Sequence, residues 1–394
     1  MTEAVFAQSR PTMRDVAAQA RVSLKTVSRV VNGESGVSPR LARRVLAACE
    51  RLDYRHNHTA STLRRSNRRS ATIGVVLEDV SNPFSSALHR AIEDVAVQRG
   101  VLVLAGSSDE DEDRERRLVL AFASRRVDGL IIQPSSHDHR YLLTERKAGT
   151  ALVFVDRPPA SIEADAVLTD NAAGVRRGVQ HLVAHGHRRI GYLGDTHTIA
   201  TAGDRHRGYL DGLANQRIEA DERLIRLDLH GIEKAEAATR ELLEQSNPPS
   251  ALLTGQNLIT IGAFRALRRM GLHQRIALLG FDDILLADLL EPGITVIAQD
   301  PAGIGRMAAD VLFRRPLVID LGEQPSEVAI ARLHDRAFGD HLVESIAVLV
   351  VGGDSRPYVG VEHHNVCVVL ALHQLHERGR HGLQDQAKRP QMNG

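Results

Sequence analysis

The sequence predicts two fold classes in one chain: an N-terminal all-α helix-turn-helix head, followed by a larger α/β body of doubly wound parallel sheets. Three observations predict them. Residues 12–32 read as two short helices joined by a tight turn. From Ala71 onward, apolar runs of strand length alternate with amphipathic segments, the pattern of parallel sheets covered by helices on both faces. Charge divides the same way. Residues 1–70 hold 14 Lys and Arg against 5 Asp and Glu, so the total of +1 hides a basic head on an acidic body. Such a head suits a polyanion partner, and binding through phosphates weakens steeply with salt.

The first helix is expected over Met13 to Gln19, with Val16, Ala17 and Ala20 on its apolar side. The second starts behind Ser23, whose hydroxyl can accept a bond from a free first-turn N–H. Val27, Val30 and Val31 recur at helical spacing and pack back on the first helix. The outward face carries Leu24, Lys25, Ser28 and Arg29. Long polar and basic groups near the N-terminus of an exposed second helix are what a major-groove recognition helix requires. The bland alternative is a surface helical hairpin, which the basic surroundings disfavour. A third helix follows, capped by Ser38, with Pro39 in its first turn and Leu41, Val45, Leu46, Ala48 and Leu52 as its stripe. Asn57 to Leu63 has the length of one short helix, and Arg64 to Ser70 reads as a polar linker.

In the body, TIGVVLE, VLVLAGS, GLIIQP and ALVFVD read as buried parallel strands, with FSSALHRAIEDVAVQRG and DEDRERRLVLAFASRRV as helices between them. A second series runs through RIGYLGD, RHRGYLDGLANQ, RLIRLDL, KAEAATRELLEQ, SALLTG, LITIGAFRALRRMG and IALLGFDD. About 240 residues of this alternation suit two lobes. Ligands in such sheets sit beyond the carboxyl ends of the strands. Asp156 and Arg157, Arg205, Gln256 and Asp282 all fall at such positions.

Taken in order, the segments DVAAQARVSLKTVSRVVNG, VSPRLARRVLAACERLDYRHN, IGVVLEDVSNPF, RVDGLII, VDRP, HLVAHGHRRIGYLG, DRHRGYLDGL, IALLGFDD and ITVIAQD resemble the lactose-repressor/galactose-repressor family of bacterial transcription regulators, over residues 12–315. The resemblance implies a helix-turn-helix domain over 11–56, a hinge helix and linker over 57–70, and a two-lobed, periplasmic-binding-protein-like effector and dimerisation domain over 71–315. It places lobe crossings near Asp156–Pro159 and near Pro292–Ile297. It implies that Leu24, Lys25 and Arg29 face base edges, where Lys25 and Arg29 suit guanine acceptors and Leu24 a thymine methyl. Thr12, Ser23, Thr26 and Asn32 are then phosphate-facing or structural, while Ser28 stays on the outward, DNA-facing side. Asn57 begins the hinge helix, and Leu63 is its minor-groove wedge. The partners implied are a homodimer's second copy and pseudo-palindromic double-stranded operator DNA.

The same resemblance puts Phe84, Asp156, Arg157, Arg205, Gln256 and Asp282 around a small polar effector: a sugar, a sugar acid or another small metabolite. Asp156 and Asp282 would accept from hydroxyls, Arg205 would donate to hydroxyls, carboxylate or phosphate, and Phe84 would face a ring. No cofactor is implied. Two head positions depart from the family pattern: Arg21 replaces a usual glycine in the turn, and His56 a common proline. In the pocket, Gln256-Asn257 stands for Asn-Asp, Thr260 replaces an alanine, and His230 sits near a stacking aromatic's place.

Two functions compete with a sequence-specific repressor: an enzyme fused to a DNA-binding head, and a pure sugar-binding protein. No nucleotide-binding glycine pattern follows a strand, and nothing positions a nucleophile beside Asp282-Asp283. His181, His185 and His187 allow a zinc reading, but a helix C-terminus favours such residues without metal. DEDEDRERR, 109–117, reads as a solvated loop leading into a helix. Two distant cysteines, Cys49 and Cys367, imply no disulfide framework and fit a reducing cytoplasm, and no signal peptide or membrane span is visible. The motifs stop near Arg315. Residues 316–394 read as a divergent, histidine-rich tail, with an altered reading frame as one explanation. A short helix is expected over Glu327–His334, and strands over Ile346–Val351 and Val366–Leu372.

Overall fold

A computed structural model describes residues 11–32, 34–54, 70–314, 330–331, 344–345 and 348–351. The expected hinge residues Asn57 and Leu63, His56, and the tail segment Val366–Leu372 lie outside the described residues. The chain divides into two compact units, Met1–Ser70 and Ala71–Gly394.

The head holds three helices: α1 (Met13–Ala20), α2 (Leu24–Val31) and α3 (Pro39–Arg51). Their starts follow local chemistry. The Asp15 carboxylate accepts from the N–H and the hydroxyl of Thr12. Ser23 Oγ accepts from Thr26 N–H, and Ser38 Oγ from Leu41 N–H. Val16, Ala20, Val27, Val45 and Ala48 form the buried centre, so all three helices share one small core.

The body is built on two sheets. The first has the strand order β11-β13-β5-β4-β3-β1-β2, where β1 is Thr72–Leu77, β2 Leu102–Ser107, β3 Gly129–Ile132, β4 Ala151–Val155 and β5 Asp165–Thr169. These five are parallel. The second has the order β12-β10-β9-β8-β6-β7, with β6 Ile190–Leu193, β7 Ile225–Arg226, β8 Ala251–Thr254, β9 Ala277–Phe281 and β10 Thr295–Ala298. Helices α4 (Pro83–Gln98), α5 (Glu112–Ser124) and the short α6 (Leu143–Lys147) belong to the first series. Helices α7 (Asn171–Ala184), α8 (Ala200–Asn215), α9 (Ile232–Leu243) and α10 (Asn257–Arg269) belong to the second. Each sheet carries an apolar core on both faces, as parallel sheets require.

The chain then returns. Helix α11 (Pro301–Arg314) puts Ile304, Ala308, Ala309 and Leu312 into the core of the first sheet, beside Leu88 and Ile92 of α4. At Gly305 the two helices lie so close that a Cβ would stand 2.5 Å from the Leu88 carbonyl oxygen, which leaves glycine as the residue that fits.

Several expectations are corrected. The first lobe crossing is not at Asp156–Pro159: the chain adds β5 to the first sheet and crosses at Asp170, between β5 and α7. The sequence DAVLT was too short and too weakly apolar to announce that strand. The second crossing is at Gln299–Asp300, because Thr295–Ala298 is itself a strand of the second sheet. VLVLAGS is an edge strand rather than a buried one, with Leu102 62% exposed. RLIRLDL contributes only a two-residue strand. In the tail, Ile330–Ala331 is a strand (β11), not part of a helix; it pairs antiparallel with β13 (Val348–Val351), which pairs antiparallel with β5. Glu344–Ser345 (β12) lies beside β10. Among the described residues no helix is long and apolar enough to cross a membrane.

Candidate functional site

On the head, α2 presents Leu24 and Lys25 as exposed residues at its N-terminus, while Ser28, Arg29 and Thr26 are half-buried and Val27 is buried. The side chain of Arg29 is 43% exposed and lies 3.7 Å from Glu34, so a nucleic acid would compete with that carboxylate for it. Ser23 and Thr26 bond to each other at 2.9 Å, and Asn32 donates to Ser28 Oγ at 3.2 Å. Thr12 serves the start of α1. These five polar groups therefore serve the helices themselves, which leaves Leu24, Lys25 and Arg29 as the outward-reaching groups. Arg44 of α3 donates to the carbonyls of Ala20 and Arg21 at the end of α1, a cation where the helix dipole favours one.

Arg21 has φ +50° and ψ +52°. The turn keeps the left-handed conformation that glycine adopts freely, and a Cβ there costs free energy. Arg21→Gly is expected to stabilise the head by about 0.5–1 kcal/mol, after the greater unfolded-state entropy of glycine is deducted. Thermal denaturation of the variant beside the parent checks this; an unchanged or lower midpoint contradicts it.

In the body, a cleft opens at the carboxyl ends of both sheets. It is lined by all six residues expected there: Phe84, Asp156, Arg157, Arg205, Gln256 and Asp282. It is also lined by Asn257, expected in the pocket beside Gln256, and by residues that the sequence did not announce, among them Glu78, Asn82, Glu110, Asp195 and Gln299. On the first-sheet wall, Asp156 sits at φ +67° just past β4 and accepts from Gln133 at 3.1 Å. Arg157 is held by both oxygens of Glu110, at 2.6 and 2.7 Å, and donates to the Pro134 carbonyl. Glu110 belongs to the charge run 109–117, whose composition predicts a solvated loop. That run is instead partly interior: Asp111 caps α5, and the fully buried Glu115 accepts from Tyr141 and from the N–H of Ser135.

On the second-sheet wall, Arg205 lies in the second turn of α8, not at its start. Its Nε donates to Asn171 at 2.7 Å, its Nη1 to the Gly255 carbonyl at 2.7 Å, and its guanidinium stacks 3.8 Å over the Phe281 ring. Asp282, at φ +66°, stands 3.9 Å from it and accepts from Gln299 at 2.7 Å. Burial pushes the Asp282 carboxyl above the usual range, against the pull of Arg205 and Gln299. Gln256 caps α10 through Oε1, so its amide nitrogen is the group left for the cleft. Thr260 bonds Thr254 and the Gln256 carbonyl inside the lobe and does not line the cleft. His230 bonds Asp195 at 3.0 Å, which raises the imidazole above its ordinary value. Asn82 and Asn257, both buried, bond across the two lobes at 2.9 Å.

The zinc reading finds little geometry. The rings of His181 and His185 lie 4.4 Å apart at a 41° tilt and line, with His187 and His273, a separate hollow at the opposite end of the second sheet. Among the described residues, no group of three or more His, Cys, Asp or Glu is placed to hold a metal ion.

A small helix-turn-helix head joined to a two-sheet clamp with a polar cleft defines a ligand-responsive DNA-binding regulator as the class of protein. Residues 12–57 match the model of bacterial regulatory proteins of the lacI family, and residues 179–337 match a periplasmic binding protein-like domain. The second match runs past Arg315, beyond the point where the recognisable motifs stop. The HTH-type transcriptional regulator GalR of Salmonella typhimurium (strain LT2) is 32% identical over 302 residues, 76% of this chain and 88% of the relative. The ribose operon repressor of Halalkalibacterium halodurans is 30% identical over 306 residues, 77% and 90%. A solved lac repressor dimer bound to operator and an anti-inducer matches with TM-score 0.69 at 25% identity, covering 86% of this chain and 98% of that one. A CelR–cellobiose complex matches with TM-score 0.57 at 27% identity, covering 88% and 100%. The chain belongs to the lacI family of bacterial regulatory proteins, and it is a transcriptional regulator.

Proposed function

We propose that this regulator is a repressor that binds a pseudo-palindromic operator as a homodimer and is controlled by a small polar, sugar-like effector in the cleft. It is a binding protein and not an enzyme. In this reading residues 11–56 form the DNA-binding head, 57–70 the hinge, 71–315 the effector and dimerisation domain, and 316–394 a divergent tail. Leu24, Lys25 and Arg29 read bases; Thr12, Ser23, Thr26, Ser28 and Asn32 hold the head's geometry against the backbone; Asn57 and Leu63 belong to the hinge.

One observation carries the effector role: the cleft residues hold the segments that join the lobes. Arg205 bonds Asn171, the first residue past the first crossing, and Asp282 bonds Gln299, which lies in the second. A ligand that takes hydrogen bonds from these groups changes the grip on both crossings. Binding free energy is thereby converted into lobe orientation, and coupling to operator affinity is reciprocal. The test is operator binding by the full-length protein with and without ligand, where a shift of about 5–150-fold is expected. Turnover of a sugar without DNA binding overturns the reading.

Three leucines of one loop mark the pairing surface. Leu285, Leu286 and Leu289 are 83%, 55% and 70% exposed, and side chains of this size rarely cluster in water without a partner. A second copy of this chain is the occupant that an isologous dimer supplies. The double variant Leu285→Asp, Leu289→Asp is expected to sediment as a monomer and to bind operator weakly. A dimer that persists in the variant contradicts this surface.

A further inference from the structure

The cleft also states the charge of what enters it. Five carboxylates line it (Glu78, Glu110, Asp156, Asp195 and Asp282) against two guanidiniums, Arg157 and Arg205. Both guanidiniums are already held: Arg157 by Glu110 and Pro134, Arg205 by Asn171, Gly255 and the Phe281 ring. The end-on fork of Arg157 is spent on Glu110, its buried Nε–H has no hydrogen-bond partner but lies 3.5 Å from Asp156, and Arg205 has its Nε and Nη1 engaged. The acceptors, by contrast, stand open. Asp156 Oδ1 and Gln299 Oε1 are buried without a hydrogen-bond partner. Glu78 is 9% exposed, and its carboxylate makes no hydrogen bond or ion pair among the described residues.

We infer that the effector carries a protonated amine seated against the Glu78 carboxylate, and belongs to the amine-bearing polyols, of which an amino sugar is the simplest. The inference rests on the effector-clamp reading above. Its physical basis is an imbalance. Asp195 has His230, Glu110 has Arg157, and Asp282 has Gln299 with Arg205 nearby. Glu78 has no cation of its own. Burial, then the neighbouring Glu110, push its carboxyl up to about 7, with Asp79 adding and Arg157 and His230 opposing. A buried carboxylate in that condition gains most from an ammonium group, through a charge-assisted hydrogen bond in a site shielded from water. Hydroxyls on the same ligand donate to Asp156 Oδ1 and Gln299 Oε1. A carboxylate or phosphate on the ligand meets five carboxyl groups against two guanidiniums that protein acceptors already engage.

Calorimetric titration of the full-length protein near neutral pH tests this, with the hexose, the hexosamine, the N-acetylhexosamine and the hexuronate in the gluco, galacto and manno series. In the series that fits, the hexosamine is expected to bind about tenfold or more tighter than the hexose and its N-acetyl form, with the hexuronate weakest. Glu78→Gln should bring the hexosamine-to-hexose ratio toward one. The preference should grow as pH rises through about 7, where Glu78 ionises, until the amine itself loses its proton. A hexose or N-acetylhexosamine that binds as tightly as the hexosamine, or a hexuronate that binds best, overturns the amine assignment and leaves the effector clamp standing. Failure of every sugar to bind overturns the sugar-effector reading, and the amine assignment with it.

Discussion

Replacing Arg205 by alanine is expected to lower the stability of the body by about 3–5 kcal/mol and to abolish the effector response. The side chain is 6% exposed and makes two hydrogen bonds at 2.7 Å, so its removal leaves the Asn171 oxygen and the Gly255 carbonyl without their donor. It also removes the cation nearest Asp282, a buried carboxyl at the cleft wall. The sign of the pH dependence follows. A carboxyl whose folded pKa lies above its unfolded value binds its proton more tightly in the fold, so stability falls as pH rises through that interval. Loss of Arg205 widens the interval. The stability deficit of Arg205→Ala should therefore be smaller near pH 5 than near pH 8, as measured by denaturant titration at both. Arg205→Lys keeps the charge but not the planar fork, and should recover only part of the loss. A variant with parental stability, or one whose deficit is larger in acid, contradicts the network as described. Operator binding without ligand should survive wherever the variant is folded.

Arg29→Ala is the largest change expected at the DNA. A bidentate contact to guanine is worth about 1–3 kcal/mol, and a two-fold dimer makes it twice, so specific affinity should fall by about 2–6 kcal/mol. Binding to random duplex should fall much less, because it rests on phosphates elsewhere on the head. Measured together, the two affinities separate a base contact from a phosphate contact. An equal loss on both kinds of DNA would remove Arg29 from the readout. The Glu34 carboxylate, 3.7 Å away, gives a second check: Glu34→Gln frees the guanidinium and should tighten operator binding slightly.

The head was almost fully legible because its determinants are local. Ser23, Ser38 and Thr12 act within four residues of themselves, and the apolar spacing of Val16, Val27 and Val45 needs only helical geometry to become a core. The strained turn at Arg21 was legible too, because an arginine stands where the family pattern has glycine. In the cleft, residues that end a strand could be found by position, as Asp156 and Asp282 were. What sequence did not disclose was pairing over long range. Glu110 meets Arg157 47 residues later, and Asn82 meets Asn257 175 residues later. A charge run looks solvated until its partners fold against it, and for that reason Glu110 and Glu115 were misread. The crossings were misplaced for a related cause: β5 shows itself only through pairing with β4.

The most direct test of the account is in-vitro selection of randomised duplex DNA by the purified full-length protein at moderate salt. The account predicts enrichment of one pseudo-palindrome with a flexible central step, whose affinity falls steeply as salt is raised. Recovery of no preferred sequence, or of a single half-site bound by one copy, would contradict a dimeric sequence-specific repressor.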